Sequence, residues 1–247
     1  TFISRILGYV KDMILARFFG AGAMADVFFV AFRIPNLLRE LFAEGSMSSA
    51  FVPVLTEQQT KHGKEEANRL VRSVFIFILI AVGLICLMGI IFAPAIVSII
   101  APGFLSNPEK FRMSVLLTRI MFPFLLFISL ASITMGSLNT RGVFFVPALA
   151  PALLNVVTII CVLTLSAYFT EPIIAVAVGV TAGGIVQFLF QVPAFFKTGY
   201  NLKVKASRLK SQISHPALKR IGVLIIPATA GMAVSQINIF VSTILAS

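Results

Sequence analysis

Apolar residues fill long stretches of this chain, and polar residues arrive in clusters between them. Seven apolar runs can be marked, at about 1–19, 26–55, 73–100, 113–138, 147–169, 172–196 and 221–246. Each reaches the roughly 18–20 residues that a helix needs to cross about 30 Å of hydrocarbon. The pattern predicts an all-α polytopic membrane protein with about seven transmembrane helices. The second run carries its own arithmetic. From Asp26 to Thr56 a continuous helix would be about 46 Å long at about 1.5 Å per residue, so it must tilt, protrude or break. Pro35 removes the amide that would bond the carbonyl of Ala31, and "EGS" at 44–46 offers a second interruption. Pro35 and Gly45 are therefore the candidate hinges of a bent second helix.

Composition agrees with the pattern. The chain is 58% hydrophobic, with a mean hydropathy of +1.00. Its opening stretch has charges inside the apolar run and no small-residue cleavage pattern, so it does not read as a signal peptide. A start on Thr1 and a stop at Ser247, directly after an apolar run, read as a portion of a longer protein. Cys86 and Cys161 lie midway along apolar runs as small core residues, with no disulfide or metal site expected, and His62 and His215 fall in polar loops.

A net charge of +11 would ordinarily raise nucleic acid as a partner. Here the basic residues are distributed by loop. The segment after the second run carries Lys61, Lys64, Arg69 and Arg72, and residues 197–220 carry seven Lys or Arg with Tyr200 as the only aromatic. The alternate loops are poor in basic residues. By the positive-inside rule the even-numbered exits and the N-terminus are cytoplasmic. The basic loop 197–220 then faces anionic lipid, and without a stacking platform no nucleic-acid partner is expected.

What the hydropathy does not explain is charge inside the first two runs. The first holds Arg5, Lys11, Asp12 and Arg17, and the second holds Asp26, Arg33, Arg39, Glu40 and Glu44. Ionisable groups in a span cost several kcal/mol and so face a cavity or a partner. Asp26, Arg33 and Glu40 recur every seven residues and share one helix face, as do Arg5 and Asp12 with Gly8 between them. Pairing is the simpler reading for Asp12, Asp26 and Arg33. Five basic against four acidic residues still leave one cation unmatched. An unmatched cation points to a wet cavity that receives an anion, and arginine's planar fork suits phosphate oxygens. Asn155, Gln187, Gln191, Gln236 and Asn238 read as interhelical hydrogen bonders, Arg119 as an interface anchor, and Gly179 with Gly183 as a close-packing GxxxG.

The same charged region carries a resemblance. "SRILGYVKDMILARFFGAGAMADVFFVAFRIPNLLRELFAEGSMSSAFVPVL" is similar to the N-terminal signature of the MurJ (MviN) family of lipid II flippases. "APGF" at 101–104, "FPFLLFISLASITMGSLNT" at 122–140 and "VPALAPALLN" at 146–155 resemble that family in order and spacing. The resemblance implies a transporter rather than an enzyme, with about fourteen helices in two lobes around a cationic cavity. Residues 1–196 would be the six-helix first lobe, 197–220 a cytoplasmic loop and 221–247 the seventh helix, with the second lobe absent. It implies movement of lipid II, the undecaprenyl-diphosphate-linked disaccharide pentapeptide, across the bacterial inner membrane by alternating access. Lipid II and membrane lipids are the implied partners, other cell-wall synthesis proteins are further candidates, and no cofactor is implied.

Carried over by position, Arg5, Lys11 and Arg39 are the substrate-binding cations. Asp26 and Glu44 are matched acidic positions, and Asp12, Arg33 and Glu40 are further charge-pair or gate residues. Lys11 stands where the family commonly has arginine, which keeps the charge and loses the fork. The rivals are an exporter of another polyprenyl-diphosphate glycan or of a drug, and, more distantly, a membrane enzyme acting on a lipid diphosphate. The excess of cations argues against a cation-drug exporter, and no DxxD, HExxH or GxSxG motif is present for the enzyme.

Overall fold

The computed structural model describes residues 2–20, 22–40, 46–202 and 217–223. Among them every regular element is helical. The helices are α1 (Phe2–Phe19), α2 (Ala23–Arg39), α3 (Ser46–Ile91), α4 (Ala93–Ile100), α5 (Pro108–Thr140), α6 (Phe145–Leu165) and α7 (Ile173–Lys197). A 3-10 turn, Pro102–Ser106, joins α4 to α5, and 217–223 is again helical. Ala50–Ile91 of α3, and the whole of α5, α6 and α7, are long and apolar enough to cross a membrane. The first run folds as α1, where four charged residues dilute its hydropathy, and α2 has only 17 residues. The seventh run lies outside the described residues beyond position 223.

The second apolar run is described on either side of residues 41–45. α2 continues through Pro35 to Arg39, and helix resumes at Ser46 as α3. Gly45 and Glu44 lie outside the described residues. The charged segment 57–72, expected as a loop, is helical except at Gly63. Its Gln, Glu, Lys, Arg and Ala are good helix formers. Surface pairs brace it: Lys61 Nζ to Glu57 at 2.8 Å and Arg69 to Glu66 at 3.2 Å.

The turn falls on Gly63, with φ +84° and ψ −178°, a conformation that side chains resist. Two contacts with α5 show the chain doubling back there. On the later arm Cys86 Sγ donates to the Phe122 carbonyl at 3.2 Å. On the earlier arm Phe51 lies against Gly136. Those α5 positions are about 21 Å apart, a distance that places Phe51 level with about residue 72 of the later arm.

The third apolar run breaks at Phe92. Pro94 has no amide for the carbonyl of Ile90, and Arg119 Nε supplies the missing donor at 3.2 Å. Arg119, expected as an interface anchor, therefore serves a broken helix.

α5 is the central helix, packing on α2, α3 and α7. One buried cluster gathers Phe51, Leu55, Leu70, Ile133, Phe195 and Tyr200. A second gathers Val27, Phe28, Leu117, Met121 and Val176. Several buried hydroxyls on α5 are satisfied within the helix, as when Ser129 and Thr134 donate to Leu125 and Leu130 carbonyls, both at 2.8 Å.

Small residues let α6 and α7 approach closely. A Cβ on Gly183 would stand 2.8 Å from the Leu154 carbonyl oxygen, and one on Gly179 would stand 3.0 Å from Thr158 Cα. The GxxxG does act as a packing surface. Gly183→Leu in the full-length protein is expected to cost about 2–3 kcal/mol by overpacking, measured as a lower thermal unfolding midpoint in detergent. An unchanged midpoint would refute this packing.

The end of α7 is tied to the bundle. Tyr200, 2% exposed, stacks on Phe195 at 4.9 Å and lies 4.7 Å beneath Arg141. Its hydroxyl is 3.0 Å from Thr140 Oγ1. Arg72 donates to the Asn201 carbonyl at 3.2 Å, and Arg220 pairs with Glu57 at 2.6 Å.

Candidate functional site

α1 leans on α6, α2 on α5, and a cavity of about 880 Å³ lies among α1, α2, α5, α6 and α7. Its walls differ in chemistry. Among the described residues, the α1 and α2 side supplies every ionisable lining residue: Lys11, Asp12, Asp26 and Arg39. The side formed by α5, α6 and α7 is neutral, with Ser132, Asn155, Thr158, Gln187 and Gln191 set among apolar residues. Phe32 and Phe124, with ring centroids 6.2 Å apart, bring the two sides together.

Charges at the sites expected from sequence are divided by this arrangement. Lys11 and Arg39 line the cavity together, whereas Arg5 is exposed and is not part of the lining. The rotation of α1 explains the difference. Asn155 Nδ2 donates to the Ser4 carbonyl at 3.2 Å, and a Cβ on Gly8 would meet the same amide at 3.8 Å. That contact fixes which face α1 turns to α6. It is also an interhelical hydrogen bond of the kind expected of Asn155.

Lys11 Nζ is 3.3 Å from Asp12, whose side chain is 70% exposed. Asp26 pairs with Lys110 of α5 at 3.6 Å, and Lys110 also sits 5.3 Å over the Phe104 ring. Asp12 and Asp26 each lie beside a basic side chain, that of Asp26 coming from α5 and not from the first two helices.

Arg33 departs from the expectation. Its Nε and one terminal nitrogen are buried without a hydrogen bond, and it has no ion pair among the described residues. The acids seven residues away share its face but lie about 10 Å along the axis. One of them, Asp26, is turned to Lys110. The other, Glu40, accepts from Asn36 Nδ2 at 2.9 Å and lies 3.8 Å from Arg39.

Asn36 was missed from sequence. It accepts from Arg39 Nε at 3.1 Å while donating to Glu40, so one amide orients both charged neighbours. The available signal is spacing: Asn36, Arg39 and Glu40 stand at i, i+3 and i+4 on one helical face. Gln187 and Gln191 also differ from expectation. Gln191 Nε2 donates to the Gln187 backbone carbonyl of its own helix at 3.1 Å, and both side-chain oxygens are buried with no partner.

Such a cavity can hold an amphiphile's polar head: cations to receive an anion, neutral amides and aromatic faces for the remainder, and an apolar exterior in lipid. Comparisons with known proteins point the same way. A family model described as lipid II flippase MurJ matches residues 15–247. The chain is 38% identical over 247 residues to the lipid II flippase MurJ of Burkholderia cenocepacia, covering all of this chain and 48% of the relative. It is 39% identical over 254 residues to a probable lipid II flippase MurJ of Vibrio cholerae, covering all of this chain and 47% of the relative. A solved structure of lipid II flippase MurJ in an inward closed conformation superposes with a TM-score of 0.75 at 30% identity, over 98% of this chain and 48% of that one. The chain thus spans about half the length of the curated relatives it matches. Matched from residue 15 onward by the family model and along its whole length by these relatives, this multi-pass membrane chain belongs to the MurJ family of lipid II flippases.

Proposed function

We propose that this chain forms the first lobe of a lipid II flippase of the bacterial inner membrane, and that its cavity carries the lipid's polar head between leaflets. The observation that supports this most is the joint placement of Lys11 and Arg39 on one wall of an 880 Å³ cavity. Burying a diphosphate in hydrocarbon is prohibitive, and fixed cations replace the water it loses. Arg39 contributes a fork held in plane by Asn36, and Lys11 a point charge beside Asp12. The polyprenyl tail stays in the bilayer while the head crosses, and rocking against a second lobe alternates the exposure. Asp26, Asp12, Glu40 and Glu44 set helix register or gate the cavity. Basic residues at the exits of the even-numbered runs support a cytoplasmic N-terminus.

The test uses the full-length protein in cells whose own flippase is depleted. An externally added, membrane-impermeant enzyme that cleaves the headgroup reports how much lipid II has reached the outer leaflet. Restored exposure supports the proposal. If lipid II stays inside although the protein is in the membrane at normal level, the substrate is another lipid-linked glycan and the proposal fails.

A further inference from the structure

Arg39, a cation of the cavity wall, is followed directly in the chain by an acid. A guanidinium and a carboxylate so placed can close into a charge-assisted bond of about 2.7–2.9 Å. Here they do not. Arg39 Nη2 stands 3.8 Å from Glu40 Oε1, outside hydrogen-bond distance. The group between them is Asn36, one turn back on α2, whose side chain also lines the cavity. It donates through Nδ2 to that same Glu40 oxygen at 2.9 Å and accepts at Oδ1 from Arg39 Nε at 3.1 Å. A guanidinium only donates and an ionised carboxylate only accepts, so the amide can lie only this way round.

A neutral group with a donor at one end and an acceptor at the other contacts both charges without joining them. No charged residue at this position would do so. An aspartate would pair with Arg39 and repel Glu40, and a lysine would do the reverse. An alanine would reach neither, and the 3.8 Å gap could close. A phosphate and a carboxylate call for the same N–H groups, so a closed pair has to be opened before an anion is bound. We infer that Asn36 is a positioning residue of the anion site, a spacer that holds Glu40 off Arg39 so that an arriving diphosphate meets one fewer competing carboxylate. This rests on the flippase reading above and deepens it. If the three side chains only braced the last turn of α2, lipid affinity would not depend on which of them carries charge.

The experiment is a pair of mutant cycles. Full-length protein in nanodiscs is titrated with lipid II as wild type, Asn36→Ala, Glu40→Gln and the Asn36→Ala, Glu40→Gln double variant. Wild type and Asn36→Ala are then compared again in an Arg39→Ala background. Asn36→Ala is expected to lose roughly three- to tenfold in affinity, between the value of an exposed ion pair and that of a buried charged hydrogen bond. Adding Glu40→Gln is expected to return most of that loss, since the competitor no longer carries charge. Without Arg39, Asn36→Ala should change nothing further, because the cation it serves is gone. Recovery in the double variant shows that the loss is not misfolding. If Asn36→Ala does not fold, Asn36→Ser takes its place, since serine is too short to reach both neighbours and should show the same loss and recovery.

Wild-type affinity in Asn36→Ala would overturn the inference, because the amide would then hold nothing that matters to the anion. A loss that Glu40→Gln does not recover would overturn it too, since Asn36 would then touch the lipid or support the helix on its own account. A loss that persists at full size without Arg39 would do the same. Each of these results leaves lipid II bound by wild type and the flippase reading standing. If wild type does not bind lipid II, that reading falls and the inference falls with it.

Discussion

Arg39→Ala in the full-length protein is expected to reduce the outer-leaflet exposure of lipid II by roughly 10- to 150-fold, the equivalent of about 1.5–3 kcal/mol for hydrogen bonds to a charged partner. Membrane level should be unchanged, because Arg39 closes α2 at its last turn and no buried cluster includes it. What is lost is a cation in the cavity wall whose plane Asn36 holds through Nε at 3.1 Å. Arg39→Lys separates charge from geometry. It keeps the charge and loses both the fork and the Asn36 bond, so it should recover only part of the exposure. Arg33→Ala is the matched control, removing a cation of the same helix that does not line the cavity. Equal loss in Arg33→Ala and Arg39→Ala would mean that charge on α2 matters for folding rather than for substrate. Full activity in Arg39→Ala would return Arg39 to the role of a partner for Glu40.

Lys11→Glu is expected to be worse than Lys11→Ala. The alanine removes an attraction, whereas the glutamate adds a third carboxylate to a wall that already holds Asp12 and Asp26. At an effective dielectric constant near 20, two unit charges about 4 Å apart interact by about 4 kcal/mol, so changing attraction into repulsion should cost at least about 100-fold in lipid II affinity. Lys11→Arg should bind at least as well as wild type, since it keeps the charge and adds a fork. Titration in nanodiscs checks the order Arg, Lys, Ala, Glu. If alanine and glutamate behave alike, Lys11 does not meet the diphosphate, and its contact with Asp12 at 3.3 Å is its function.

Much of this was legible in the residues, and the remainder shows what a linear reading loses. α5, α6 and α7 match their apolar runs within a few positions because hydropathy alone decides where they enter and leave lipid. The segment 57–72 reads as a loop when its charge is treated as a topological signal, yet its residues and its i,i+4 pair are those of a solvated helix. Lys11 and Arg39 stand out because a charge in an apolar run needs an explanation. Arg5 reads as their equivalent in sequence and lies outside the lining, since α1 is held to α6 by Asn155, 151 positions beyond Ser4. Neutral amides give the weakest signal. Gln191 looks the same in sequence whether it bonds a neighbouring helix or its own, and only its bond to the Gln187 carbonyl separates the two cases.

The stack of Tyr200 on Phe195 under Arg141 bears on where a rocking transporter is bolted. A lever turns about its first unsecured point, and the chain leaving α7 is secured at once, by a buried ring and then by the grip of Arg72 on Asn201. Ile221 is seated in the same buried cluster, beside the clasp between Arg220 and Glu57. A pull from later parts of the polypeptide is therefore delivered to the Gly63 end of the bundle before it reaches the carboxyl end of α7. Load on Tyr200 or Ile221 then falls on helices that share one buried cluster, so the end of α7 and the arms of α3 respond as one frame.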